Sequence, residues 1–263
     1  MLGIIEFVND DAIKYAILLL LGCEEMKLIA DCHCHTLASG HAYSTIKECA
    51  EEASIRGLEL IAITDHGPAM PGGPHPFYFQ NLKVIPESLF EIEILKGIEA
   101  NIVDYDGKLD INEMNPDELD IVIASHHQPC LRSSTREDNT RALLGAMANK
   151  HVNIIGHPDD GRVPLNYEEL VRAAADSGVL LEMNNSSLRP TSFRLNAREN
   201  YIKLLELCMK HQVSIIINSD AHVHTDIGES REAMELLKEL GFPKELVANT
   251  HLDKLRKKLR LRR

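Results

Sequence analysis

A chain of 263 residues is long enough to bury a sizeable core and to build one large α/β domain or two small ones. Hydrophobic residues at 44% and charged residues at 26% are ordinary for a soluble globular protein. The formal net charge of −12 argues against a protein that wraps nucleic acid through a broad basic surface.

Residues 1–25 form an N-terminal extension. Its apolar run Ala16 to Leu21 falls far short of the roughly 20 residues that a membrane span needs. Acidic residues flank the run and no small-residue cleavage site follows it, so neither a span nor a secretory signal is expected. A short amphipathic helix on the domain exterior is the expected form, with a homo-oligomer contact as the sharper alternative. The six cysteines (Cys23, Cys32, Cys34, Cys49, Cys130 and Cys208) show neither Cys-x-x-Cys spacing nor a dense disulfide pattern. They read as reduced thiols of a cytoplasmic protein.

Seven short apolar, β-branched runs follow, over residues 27–30, 58–63, 92–98, 120–124, 152–156, 179–183 and 213–218. Helical patterns occupy residues 44–56, 139–149, 167–177, 197–211 and 230–240, several ending at Gly57, Gly178 or Gly241. Strand and helix in alternation predict a parallel sheet of βα units.

Each strand delivers a polar or ionisable residue at its carboxyl end. These are His33 and His35, Asp65-His66, Glu99, His126-His127, His157, Asn184-Asn185, and Asp220 with His222. In a closed parallel barrel those ends meet at one face, where loops build a site. By strand alternation Asp31, His33 and His35 share one face while Cys32 and Cys34 share the other. His33 and His35 then offer two imidazole nitrogens to one metal ion, or stand as buried strand-end residues with hydrogen-bond partners. Asp220 and His222 repeat the spacing.

Loops add weaker signals. Residues 70–79 (MPGGPHPFYF) predict an ordered loop over the site, with His75 and the aromatics either touching substrate or packing the loop down. Arg132 and Arg136 either meet an anion or are solvated. Residues 254–263 (KLRKKLRLRR) are a basic C-terminal tail, read as a solvated helix face ahead of a nucleic-acid or membrane contact. No internal repeat or linker divides the rest, so residues 26–253 form one domain.

With His41, the candidate ligands are His33, His35, His41, His66, Glu99, His127, His157, Asp220 and His222. Nine donors exceed what one ion of four to six coordination uses, so two or three ions are expected. Nitrogen and oxygen donors without a thiolate favour Zn, Mn or Fe over Mg or Ca.

The segments DCHCHTLASGHAYST, AITDHGP, GIEAN, ASHHQP, IIGHPD, LEMNNSS and NSDAH, in this order, resemble the PHP (polymerase and histidinol phosphatase) superfamily, and most nearly its YcdX-like branch. The resemblance runs from about Met26 to about Asn249. It implies a distorted (βα)7 TIM-like barrel with three divalent ions, most often zinc, at the carboxyl ends of the strands. His33, His35, Glu99 and Asp220 would hold one ion. Glu99 would bridge to a second held by His127 and His157, and His41, His66 and His222 would hold the third. His127 rather than His126 matches the family histidine. A metal-bridging hydroxide would attack the phosphorus of a small phosphorylated substrate, with Asp31 and Asp65 accepting ligand N–H groups. Asn184 and Asn185 either donate to phosphate or tie down a loop. The expected activity is phosphate monoester hydrolysis. Rival readings are a phosphodiesterase or 3'-5' exonuclease, kept alive by the basic tail, and a metal-binding protein without catalysis. A metallo-amidohydrolase is disfavoured, since no strand end offers the lysine it uses.

Overall fold

The computed structural model describes residues 26–261, so the N-terminal extension and the final two arginines lie outside the described residues. The strands are β1 (Ala30–Cys34), β2 (Leu60–Ile63), β3 (Ser88–Leu89), β4 (Ile92–Asn101), β5 (Ile121–Ser125), β6 (Ile154–Ile155), β7 (Leu180–Asn184) and β8 (Ile215–Asn218). Seven of them pair in parallel in the order β1-β2-β4-β5-β6-β7-β8, and β3 is a short antiparallel partner of β4. Helices α1 (Ile46–Ile55), α2 (Pro76–Asn81), α3 (Arg136–Met147), α4 (Tyr167–Ser177), α5 (Ala197–His211), α6 (Arg231–Leu240) and α7 (Leu252–Leu259) complete a nearly closed α/β barrel. No helix among the described residues is long and apolar enough to cross a membrane. Their five cysteines are free thiols.

Local chemistry sets the element ends. α1 starts at Thr45, whose hydroxyl accepts the Glu48 N–H while the Glu48 carboxylate accepts the Thr45 N–H. α2 begins within residues 70–79, the stretch expected to be loop, and runs two residues past it. Pro76 fits its first turn, and the exposed His75 caps it by accepting the Phe77 N–H at 3.1 Å. His75 is therefore a helix cap. Arg132 and Arg136 are both exposed, as expected of solvated side chains.

The inward-facing side chains change character along the strands. Ala30, Leu60, Leu95, Ile121, Ile154, Leu180 and Ile216 form one apolar cluster at the amino ends. α7 closes that end by burying Leu255 and Leu259 in the same cluster. The boundary drawn at residues 253/254 thus falls inside a helix: its leucines are core, while Lys257, Lys258 and Arg260 are exposed.

The barrel closes without a continuous ladder between its first and last strands. β1 meets the segment just beyond β8 at an isolated bridge, Cys34 with Ala221, where the His35 N–H donates to the Ala221 carbonyl at 2.9 Å. Two asparagines fill the seam. Asn218 Oδ1 accepts the Cys32 N–H at 2.9 Å. Asn249 Nδ2 donates to Ala30 O at 2.8 Å and Ile217 O at 2.6 Å. Side chains thus satisfy backbone groups that a shared ladder would otherwise pair.

Candidate metal centre

Alternation carries polar side chains to the carboxyl end of the barrel. On β4, Glu99 lies four residues after the inward Leu95, and on β7 and β8, Glu182 and Asn218 follow Leu180 and Ile216 by two. On β1 the alternation breaks. Asp31 pairs with Ile61 but Cys34 with Ile63, so a bulge lies between them. Cys32 consequently joins the inner cluster with Ala30, while Cys34 packs outside against Cys49 and Ala50 of α1. The expected common face for Cys32 and Cys34 is therefore corrected: the bulge turns His33 and His35 inward and separates Asp31 from them.

All nine candidate donors converge. Glu99 stands at the centre, its Oε1 2.9 Å from His157 Nε2, 3.2 Å from His127 Nε2 and 3.3 Å from His33 Nε2. Its Oε2 lies 2.6 Å from His66 Nδ1 and 3.5 Å from His35 Nε2. Asp220 Oδ1 lies 3.2 Å from His35 Nε2, 3.6 Å from His33 Nε2 and 3.5 Å from His222 Nδ1. At the rim, His41 Nε2 faces His66 Nε2 at 3.1 Å, and the His222 ring lies 5.1 Å from that of His41 and 5.7 Å from that of His66. Two donors each about 2.0–2.1 Å from one tetrahedral zinc ion stand about 3.3–3.4 Å apart, so most of these separations would suit donors around a shared cation.

Several buried donor atoms lack a partner in the protein. His33 Nε2, His35 Nε2, His66 Nδ1 and Glu99 Oε2 are fully buried and make no hydrogen bond. Such atoms are costly unless a ligand meets them. Three groups, His33–His35–Glu99, His66–Glu99–His127 and His35–His66–His222, each bring one donor atom per residue within 4.8 Å of the others. The donor set fits divalent cations.

Hydrogen bonds on the far side of three of the rings aim them inward. His33 Nδ1 donates to Glu182 Oε1 at 2.7 Å, His35 Nδ1 to Ser39 Oγ at 3.1 Å and His127 Nδ1 to Asn101 Oδ1 at 2.7 Å. Each bond leaves the Nε2 lone pair directed into the site. Burial, reinforced by His66 and His222, holds the His35 imidazole well below its ordinary value and so neutral, the ligating form. Burial works to raise the Glu99 carboxyl, but His127, His33 and His66 outweigh it and hold Glu99 well below the usual carboxylate range. Two site residues also sit in the left-handed backbone region, His157 at φ 30° and Asp220 at φ 55°, a conformation uncommon outside glycine.

The expected outer residues divide. Asp31 accepts from Ser219 Oγ at 2.5 Å and Gly228 N at 2.8 Å, tying down the loop after β8 and meeting no ligand ring. Asp65 accepts from Thr36 N, Thr36 Oγ1, Ser39 Oγ and the Tyr78 hydroxyl, and reaches His35 only through Ser39. Asn184 donates to Asp220 Oδ2 at 3.0 Å and so holds a candidate ligand. Asn185 bonds Glu232 and the Ala233 N–H, tying its loop to α6. His126 reaches none of the cluster: both its ring nitrogens are buried without a hydrogen bond, and burial pushes it down to about 4.

Sequence reasoning missed Glu182, Ser39, Asn101 and Arg194. Glu182 is fully buried and accepts from His33, the His157 N–H, Asn184 and Asn218. Its signal was available: a lone carboxylate inside an apolar strand, two residues before Asn184. Arg194, in the loop after β7, pairs with Asp220 Oδ2 at 3.2 Å and donates to Ser187 Oγ.

Comparison with known proteins agrees with this geometry. A PHP domain family model matches residues 31–186. The chain is 45% identical over 243 residues to a "Probable phosphatase" of Acetivibrio thermocellus, covering 90% of this chain and 100% of that one. It is 47% identical over 244 residues to a "Probable phosphatase" of Caldanaerobacter subterraneus, covering 92% and 95%. In fold it is similar to a histidinol phosphate phosphatase from Lactococcus lactis crystallised with zinc, L-histidinol and phosphate. There the TM-score is 0.58 at 23% identity, over 81% of this chain and 94% of that one. A matched domain that spans β1 to the loop after β7, in a chain whose strand ends gather nine metal-type donors, makes this protein a member of the PHP domain family.

Proposed function

We propose that the chain is a metal-dependent phosphatase that hydrolyses small phosphate monoesters at a centre for three divalent ions, zinc first among them. In this reading His33, His35, Glu99 and Asp220 hold one ion. Glu99, His127 and His157 hold a second, and His41, His66 and His222 the third. Divalent ions so placed neutralise phosphoryl oxygens and lower the pKa of bound water. The protein's own part is orientation: Glu182, Ser39 and Asn101 fix the protons of His33, His35 and His127 on the outer nitrogens, and Asn184 and Arg194 steady Asp220.

The observation that carries this reading is Glu99, fully buried, whose two oxygens face five imidazoles from four different segments. The placement of α7 weighs against the exonuclease rival, because its basic face lies at the amino ends of the strands, away from these donors. The test compares p-nitrophenyl phosphate, bis-p-nitrophenyl phosphate and single-stranded DNA with zinc- or manganese-loaded protein. Turnover of the monoester ahead of both diesters is expected, and activity confined to diesters would overturn the proposal.

A further inference from the structure

Asp110 is outside the nine donors, yet it holds the segments that carry two of them and reaches a third through Asn101. It follows a short hairpin in which the Val103 N–H donates to Lys108 O at 2.8 Å and Ile102 pairs with Leu109. The turn of that hairpin is pressed onto α3. A Cβ on Gly107 would lie 2.2 Å from Ala146 N, and one on Gly145 would lie 2.1 Å from Asp106 O, so backbone meets backbone and the hairpin cannot slide.

From this anchored position the Asp110 carboxylate accepts three N–H groups: Ala69 N at 2.8 Å, Asn101 N at 2.8 Å and Asn101 Nδ2 at 2.6 Å. Ala69 lies three residues beyond His66, and Asn101 lies two beyond Glu99. The same Asn101 amide also donates to Gly67 O at 3.1 Å. Gly67 itself rests against the carboxylate, where a Cβ would come within 2.4 Å of Oδ2. With both amide hydrogens of Asn101 committed to acceptors, its oxygen is left to face His127 Nδ1, at 2.7 Å. That bond puts the His127 proton on the outer nitrogen and presents Nε2 to Glu99. The donors served are His66, Glu99 and His127, which form one of the three candidate metal groups.

We propose that Asp110 is a positioning residue. Through Asn101 and the Gly67–Ala69 turn it locks His66, Glu99 and His127 in place and so sets the affinity of the cation between Glu99 and His127, without touching the cation itself. The proposal rests on the metal-centre reading above, and its test is read in metal binding rather than in turnover.

Asp110→Asn keeps volume but points an amide N–H2 at a ring of donors, and Asn101→Ala removes the relay while leaving Asp110 intact. Zinc stoichiometry and stepwise affinity, measured by chelator competition, are compared for the parent and both variants, with the melting of the metal-free protein and the visible spectrum of the cobalt-loaded protein. In both variants the metal equivalent held by Glu99 and His127 should weaken most, by about 10–100-fold, the usual effect of losing a partner behind a ligand, while the others weaken less. The cobalt spectrum should lose the contribution of one ion, and metal-free melting should change little. Unchanged affinities in either variant would overturn the proposal. So would a uniform weakening of all equivalents alongside a collapse of metal-free melting, which marks a purely structural role. Parent protein that binds zinc but hydrolyses no phosphate ester would defeat the functional reading and leave this one standing.

Discussion

The two mouths of this barrel are made by the same strands and have opposite chemistry. At the amino ends, Ala30, Leu60, Leu95, Ile154, Leu180 and Ile216 pack around Leu255 and Leu259 of α7. At the carboxyl ends, Glu99, Glu182 and Asp220 lie among seven imidazoles, several with buried nitrogens that no protein group satisfies. The change takes two residues on β7, from Leu180 to Glu182, and four on β4, from Leu95 to Glu99. Stability and chemistry are thus separated along the strand axis. The lower mouth buries apolar surface, at about 25 cal/mol per Å², and this offsets the cost of the polar groups crowded into the upper one.

If the separation holds, damage at each mouth should have its own signature. The largest effect on activity is expected at the upper mouth. Asp220→Ala removes an oxygen that faces His33, His35 and His222, and should lower both phosphatase rate and bound metal, the rate by about 10²-fold or more. Steady-state kinetics beside metal analysis checks this, and a surviving rate would remove Asp220 from the site.

The matching injury below is Leu255→Ala. Leu255 is fully buried where α7 closes the barrel, so truncation should cost about 2–5 kcal/mol in urea unfolding of the metal-free protein. Metal stoichiometry at a temperature where the variant is folded should match the parent. Loss of metal from the folded variant would show that the two mouths are coupled.

A smaller effect is expected at the seam. The Asn249 side chain serves Ala30 O, Ile217 O and the Ile217 N–H, three backbone groups left by the missing ladder between β1 and β8. Asn249→Ala leaves them unsatisfied and should cost about 1–3 kcal/mol by the same unfolding measurement. Because β1 and β8 also carry His33, His35 and Asp220, metal affinity should fall modestly as well, which distinguishes the seam from the lower plug.

How far this was readable in advance follows from the same geometry. The carboxyl-end residues announced themselves because each closes an apolar run, so His33, His66, Glu99, His157 and Asp220 could be named from order and spacing alone. The bulge in β1 could not, since it exists only in the register between Asp31 and Cys34 on one strand and Ile61 and Ile63 on the other. Asn101 and Ser39 were hidden for a related reason: their roles depend on which side chain a neighbouring segment brings within 3.1 Å. For α7 the signal was present but masked. Leu252, Leu255 and Leu259 recur at helical spacing for a core-facing stripe, while the seven basic residues from Lys254 onward drew the reading toward solvent.

The smallest expected effect asks whether that basic face takes part in the chemistry at all. Lys257 and Lys258 are exposed on a helix whose leucines are sunk into the lower mouth. Exposed charges away from caps and buried pairs contribute little, so Lys257→Gln with Lys258→Gln should shift stability by less than about 0.5 kcal/mol. Turnover of a small phosphate monoester should be unchanged, since the screening length of about 8 Å at physiological salt isolates that face from the donors at the other end. A polyanionic substrate bound along α7 would behave differently: its affinity would fall steeply with salt in the parent, and that slope would flatten in the variant. Equal salt dependence in the two proteins would leave the upper mouth as the place where substrate charge is met. A flattened slope together with slower hydrolysis of DNA would join the two mouths into one nucleic-acid track and end the separation argued from their packing.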